Sequence, residues 1–171
     1  QELVRAGAAV DLQDKDQHTA LMWAAEKGST EVVQELVRAG AAVDLQDRRG
    51  TTALMRSAGT GSTEVVQELV RAGAALDLQD NWGTTALMKA VKSKSKTVSK
   101  LVQAGAAVDL QDKHGTTALI LSAHFGYTAI VQELVRYGAA LDLHDNHKVT
   151  ALVSTVEFGR AHTFQELLRA G

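Results

Sequence analysis

Gly28-Ser29-Thr30-Glu31-Val32-Val33-Gln34-Glu35-Leu36-Val37-Arg38-Ala39-Gly40-Ala41-Ala42 recurs, without a change, as Gly61–Ala75. Outward from this string, Thr-Ala-Leu begins at Thr19, Thr52, Thr85, Thr117 and Thr150. An aspartate stands at Asp14, Asp47, Asp80, Asp112 and Asp145, at spacings of 33, 33, 32 and 33 residues. Self-similarity at this period marks a stacked array rather than a single-core globule. The units fall at about 14–46, 47–79, 80–111, 112–144 and 145–171, after a partial second helix and finger at 1–13. The chain thus begins inside a unit and stops at Gly171, where a further finger is due, and neither end reads as a polar capping repeat. The expectation is a piece of a longer array, or one with trimmed ends.

Each unit parses alike. An apolar-polar segment such as Ala42-Val43-Asp44-Leu45-Gln46-Asp47 runs into a turn, Arg48-Arg49-Gly50, which suits a hairpin-like finger. Thr52 caps a short helix from Ala53 to about Ala58, its hydroxyl accepting from N–H groups of the first turn. Gly61 ends that helix, and Ser62 opens a second one with Glu64 at the positive end of the dipole. Val65, Val66, Leu69 and Val70 recur at helical spacing, and Gly73 stops the run. Two helices this short cannot bury their apolar faces alone, so stacking is obligatory. Leu69 and Leu101 are expected core residues. Gln17 and Lys148 stand where other units have Gly50, Gly83 and Gly115, so these two fingers are expected to be strained or differently shaped. The third unit is one residue short and lacks the glycine between its helices.

These features resemble the ankyrin repeat across essentially the whole chain. The resemblance implies an all-α repeat solenoid of antiparallel helix pairs with projecting fingers. The family's Thr-Pro-Leu-His motif is altered in two places. Its proline is Ala20, Ala53, Ala86, Ala118 and Ala151; its histidine is Met22, Met55, Met88, Ile120 and Val153. The first change removes pre-organisation at the helix start. The second replaces a polar tie between repeats with an apolar contact, so a polar ladder between units is not expected.

Composition narrows the function. Cysteine and proline are absent, and aromatic residues make up 4% of the chain, so small aliphatic side chains must build the core. With no cysteine, disulfides, thiolate metal sites and a cysteine nucleophile are excluded. Lys plus Arg number 18 and Asp plus Glu 20, a net charge of −2, which argues against a general nucleic-acid coat. No apolar run approaches the roughly 18 residues that span a bilayer, and a cytoplasmic, monomeric array without membrane insertion is expected. No catalytic or phosphate-binding motif appears, and His114, His144 and His147 lie on neighbouring fingers too far apart to share a metal. A non-enzyme without cofactor or metal is the reading.

Positions that vary between units are the candidates for recognition. The finger tips read Lys15-Asp16, Arg48-Arg49, Asn81-Trp82, Lys113-His114 and Asn146-His147; the fifth position of the first-helix motif reads Trp23, Arg56, Lys89, Leu121 and Ser154; the end of that helix reads Glu26-Lys27, Gly59-Thr60, Lys92, His124-Phe125 and Glu157-Phe158. The resemblance places these registers on the concave groove. Solvated loops drift in any repeat protein, so part of this variation is neutral. Trp23 and Leu121 are open between groove packing and partner contact, whereas Trp82 at a loop tip reads as an anchor. Lys89, Lys92, Lys94, Lys96 and Lys100 form a run without acids, either a solvated face or a steering patch for an acidic partner. The leading function is a protein-binding module for a protein or peptide, acidic or mixed in charge. The alternatives are an anionic ligand or single-stranded nucleic acid, held by the central Lys/Arg group with Trp82, and a structural spacer.

Overall fold

The computed structural model describes residues 9–171; the helix tail expected at 1–7 lies outside them. Five first helices run α1 (Ala20–Glu26), α3 (Ala53–Thr60), α5 (Ala86–Lys92), α7 (Ala118–Phe125) and α9 (Ala151–Glu157). Five second helices follow them: α2 (Thr30–Arg38), α4 (Thr63–Arg71), α6 (Thr97–Gln103), α8 (Thr128–Arg136) and α10 (Ala161–Ala170). First helices pack on first helices and second on second, each pair also closing on itself. This is the all-α solenoid expected. The fingers are turns, with one isolated bridge, His144 to Thr150, among the described residues.

The caps follow the sequence. The hydroxyls of Thr19, Thr52, Thr85, Thr117 and Thr150 each accept from the backbone N–H three residues on. Leu69 and Leu101 are fully buried, and Met22, Met55, Met88 and Ile120, in the histidine's place, are core residues. In the last unit Val156 is exposed where Ala25, Ala58, Val91 and Ala123 are buried.

The expected loss of polar ties between units does not hold. Two rows of ties run through the fingers instead. Asp11, Asp44, Asp77 and Asp109 each accept the N–H of an alanine in the next unit at 2.9 Å. The Gln46 amide donates both to Gly50 O at 2.7 Å and to Gln79 O at 3.2 Å, and Gln13, Gln79 and Gln111 repeat the pattern. Side chains that looked like plain scaffold therefore supply the ladder that the missing histidine would have carried.

Two kinds of place without the repeat glycine keep the turn of their neighbours, which corrects the expectation that the Gln17 and Lys148 fingers are differently shaped. The third unit keeps its interhelix turn: Lys94 takes the left-handed conformation, φ +51°, that Gly61 and Gly126 take elsewhere. The missing residue falls in the first turn of α6, which has seven residues against nine in α4 and α8. Gln17 and Lys148 do not reshape their fingers either. Both adopt φ +64° and donate to the repeat aspartate's carbonyl as Gly50 does. The strain lies in the dihedral and in the contact with the next finger. A Cβ on Gly83 would meet Lys113 N at 2.8 Å, because successive fingers press backbone to backbone. Gln17 carries a Cβ at the matching place, and the adjoining finger bond, Arg48 N to Asp16 O, is 3.2 Å against 2.9–3.0 Å in the other three.

Gln17→Gly is therefore expected to stabilise the array by about 1 kcal/mol, by relieving a left-handed side chain. Gly83→Ala is expected to destabilise it by more than that. Thermal melts check both; a Gln17→Gly protein melting at or below the parent temperature contradicts the account.

Candidate functional site

The groove lies where the fingers meet the first helices, and the repeat aspartate sits at that junction. Its Oδ1 closes the turn: Asp47 Oδ1 accepts Arg49 N at 2.7 Å and Thr51 N at 2.9 Å, and Asp14, Asp80, Asp112 and Asp145 do the same. In the first three units its Oδ2 meets the fourth residue of the first helix, nine residues on. In the first unit Trp23 Nε1 lies 3.4 Å from Asp14 Oδ2. In the second, Arg56 pairs with Asp47 at 2.7 Å and also with Glu26. In the third, Lys89 pairs with Asp80 at 2.7 Å.

These pairs decide how much of the central positive charge is free. The side chains of Asp47 and Asp80 are 1% and 0% exposed, and Arg56 only 14%. Burial pushes both carboxyls up, but the cation of Arg56 or Lys89 and the turn N–H groups outweigh it and hold each below the usual aspartate value. Arg48 faces Asp16 across the first two fingers at 3.6 Å, and Lys94 lies 5.2 Å from the Tyr127 ring. Arg49, Lys92 and Lys113 are exposed, with no acidic partner among the described residues.

The aromatic candidates divide likewise. Trp82 is 51% exposed at its finger tip, where its N–H donates to Asp80 Oδ1 and its carbonyl accepts from Lys113 N. Trp23 is 43% exposed, but its ring is fixed edge-on to His18 at 4.9 Å, with the Arg56 guanidinium 5.7 Å away. His114 is exposed on its finger. Leu121, His124, Phe125 and His147 come together around one cavity of about 370 Å³ between units four and five. The rest of that wall includes Ser154, Glu157 and Phe158, which stand in the same variable registers of unit five. Phe158 lies 4.1 Å from the His124 ring, Phe125 stacks on Tyr127 at 5.3 Å, and Asp145, Ser154 and Glu157 complete the lining. Asp145 went unnoticed because it repeats in every unit and so reads as scaffold. Among the described residues no group of three or more His, Asp or Glu is placed to hold a metal ion, and no helix is long and apolar enough to cross a membrane.

A carboxyl held low in the folded chain contributes stability above its unfolded value, about 3.9, and loses that contribution as pH falls through and below it. Lys89→Met, which leaves the Asp80 carboxylate buried without its cation, is expected to cost about 1–3 kcal/mol at pH 7. The deficit is expected to shrink between about pH 5 and pH 3, as the carboxyl protonates. Melts across that range check it, and a deficit independent of pH contradicts the pairing.

A comparison with curated proteins finds no match to the chain. The family model for ankyrin repeats (3 copies) matches residues 1–80, 33–112 and 87–171. The chain belongs to the ankyrin repeat family.

Proposed function

We propose that the chain is a non-catalytic recognition module that grips a protein or peptide through the groove between its fingers and first helices. Ankyrin repeats are generally protein-interaction modules. The observation that carries the reading is Trp82: a large, half-exposed ring at a finger tip, with no aromatic or cation–π contact among the described residues. Such rings dominate interface energetics when a partner covers them. Around it lie Arg49 and Lys113, free cations suited to an acidic stretch of the partner, with Asp16, Arg48, His114 and Lys92 in the surrounding registers. The wall of Leu121, His124, Phe125 and His147 offers an apolar continuation, so a partner of mixed charge fits better than a uniformly acidic one. Trp23, Arg56 and Lys89 serve on this reading as a pre-set groove floor rather than as free contacts. The reading carries with it a monomeric array acting in the cytoplasm.

An anionic ligand or single-stranded nucleic acid is the weaker reading. Two of the cations it needs, Arg56 and Lys89, already answer Asp47 and Asp80. The exposed groove aromatics count against a plain spacer.

The test starts from a partner captured by the chain and identified by mass spectrometry, then measured by surface plasmon resonance. Trp82→Ala is expected to cost at least about 1–2 kcal/mol of binding while leaving the melting temperature unchanged. Arg49→Glu is expected to slow association, with an effect that fades as salt rises. If neither alters affinity while Glu68→Ala on α4 does, the groove assignment fails.

A further inference from the structure

The second oxygen of the repeat aspartate distinguishes the two halves of the groove. In units one to three, the residue nine positions on brings a nitrogen to it: Trp23, Arg56 or Lys89. Nine positions after Asp112 and Asp145 stand Leu121 and Ser154. No hydrogen bond or ion pair reaches Oδ2 of either aspartate among the described residues, while Oδ1 of each still closes its turn. At the Asp145 end this coincides with a cavity of about 370 Å³. Its lining includes Asp145 and a second carboxylate, Glu157, beside the apolar and aromatic surfaces of Leu121, Phe125 and Phe158.

Unit two shows what such a place takes. There the Arg56 guanidinium bonds Asp47 Oδ2 at 2.7 Å, is met by Glu26, and lies 5.7 Å from the Trp23 ring. A planar cation satisfies a carboxylate with its edge and an aromatic ring with its face, which a lysine ammonium does less well. The lining of the cavity between units four and five has the carboxylates and the rings but no lysine or arginine. We infer that the pocket between α7 and α9 receives an arginine side chain of the partner, its guanidinium on Asp145 and its face on the His124–Phe158 wall. This rests on the protein-binding reading and gives it a charge: the segment docked at units four and five is basic, while the stretch over the central finger tips is acidic. Leu121 and Phe125 would cover the methylenes of the arginine stem.

The test pans a displayed random dodecamer library at pH 7.5 on the chain, on Asp145→Asn and on Trp82→Ala. Asparagine keeps an Oδ1 acceptor for the N–H groups of His147 and Val149, so the variant is expected to melt with the parent. The parent is expected to enrich peptides with arginine at one shared position, and replacing it with citrulline weakens binding at least about tenfold. Asp145→Asn loses that enrichment, and Glu157→Gln, a change at an exposed position, weakens the same peptides. Peptides that need Trp82 but share no basic residue overturn the inference and leave the binding reading intact, as does arginine enrichment undiminished on Asp145→Asn. A library from which nothing binds the groove, so that neither variant changes the selection, overturns both.

Discussion

A unit of two helices, seven to ten residues each, has too little apolar surface to close a core, so it folds only by stacking on its neighbours in register. Stacking of nearly identical aliphatic faces is strong but poorly directional. The register is set by the polar atoms between the fingers. Asp11, Asp44, Asp77 and Asp109 hold the next unit's N–H, while the glutamines hold the next unit's carbonyl. Each tie is worth little alone, but every one is satisfied at a single offset, so a slipped stack would leave several groups without partners. The near-contact at Gly83 expresses the same demand in steric form.

This constraint shapes the groove. Because the repeat aspartate must close every finger turn, it delivers a carboxylate oxygen to the groove at every unit, whether or not recognition needs one. What differs between units is the answer nine residues on. In the first unit the Trp23 N–H and the His18 ring meet it, and in the next two an arginine and a lysine neutralise it, so the groove floor becomes a paired, half-buried network. A leucine and a serine leave it open along the last two, where the wall turns aromatic. Electrostatic character therefore changes along the groove while the backbone repeats.

Period, helix pairs, threonine caps and the core leucines were legible in the sequence, because each is a local pattern repeated five times. The polar ladder was not. Asp44 recurs in every unit and Gln46 in all but the last, where His144 stands, and such repetition says that a residue is scaffold without saying which atom it reaches. The unchanged shape of the Gln17 finger was not legible for a related reason: neighbouring fingers and helices force the left-handed turn even where the side chain disfavours it, as they do at Lys94. Of the groove, Trp82 could be read directly, since a large apolar ring at a loop tip has no local use. The pairing of Arg56 and Lys89 could not, because a free-looking cation and its buried carboxylate lie nine residues apart across a turn. Phe158 stood in the variable register at the end of α9, but its place against His124 was not legible, because only the stack brings the two rings together.

The most direct test of this account compares the same substitution in a paired and an open unit. Asn keeps the Oδ1 acceptor that closes the turn, so Asp80→Asn and Asp145→Asn differ chiefly in what Oδ2 meets and in how deeply it is buried. Thermal and denaturant unfolding at pH 7 is expected to show Asp80→Asn destabilised by about 1–3 kcal/mol, through loss of the Lys89 pair, and Asp145→Asn unfolding with the parent. Equal losses at the two positions would contradict the account, because the aspartate would then be a uniform scaffold element and the groove would have no open half.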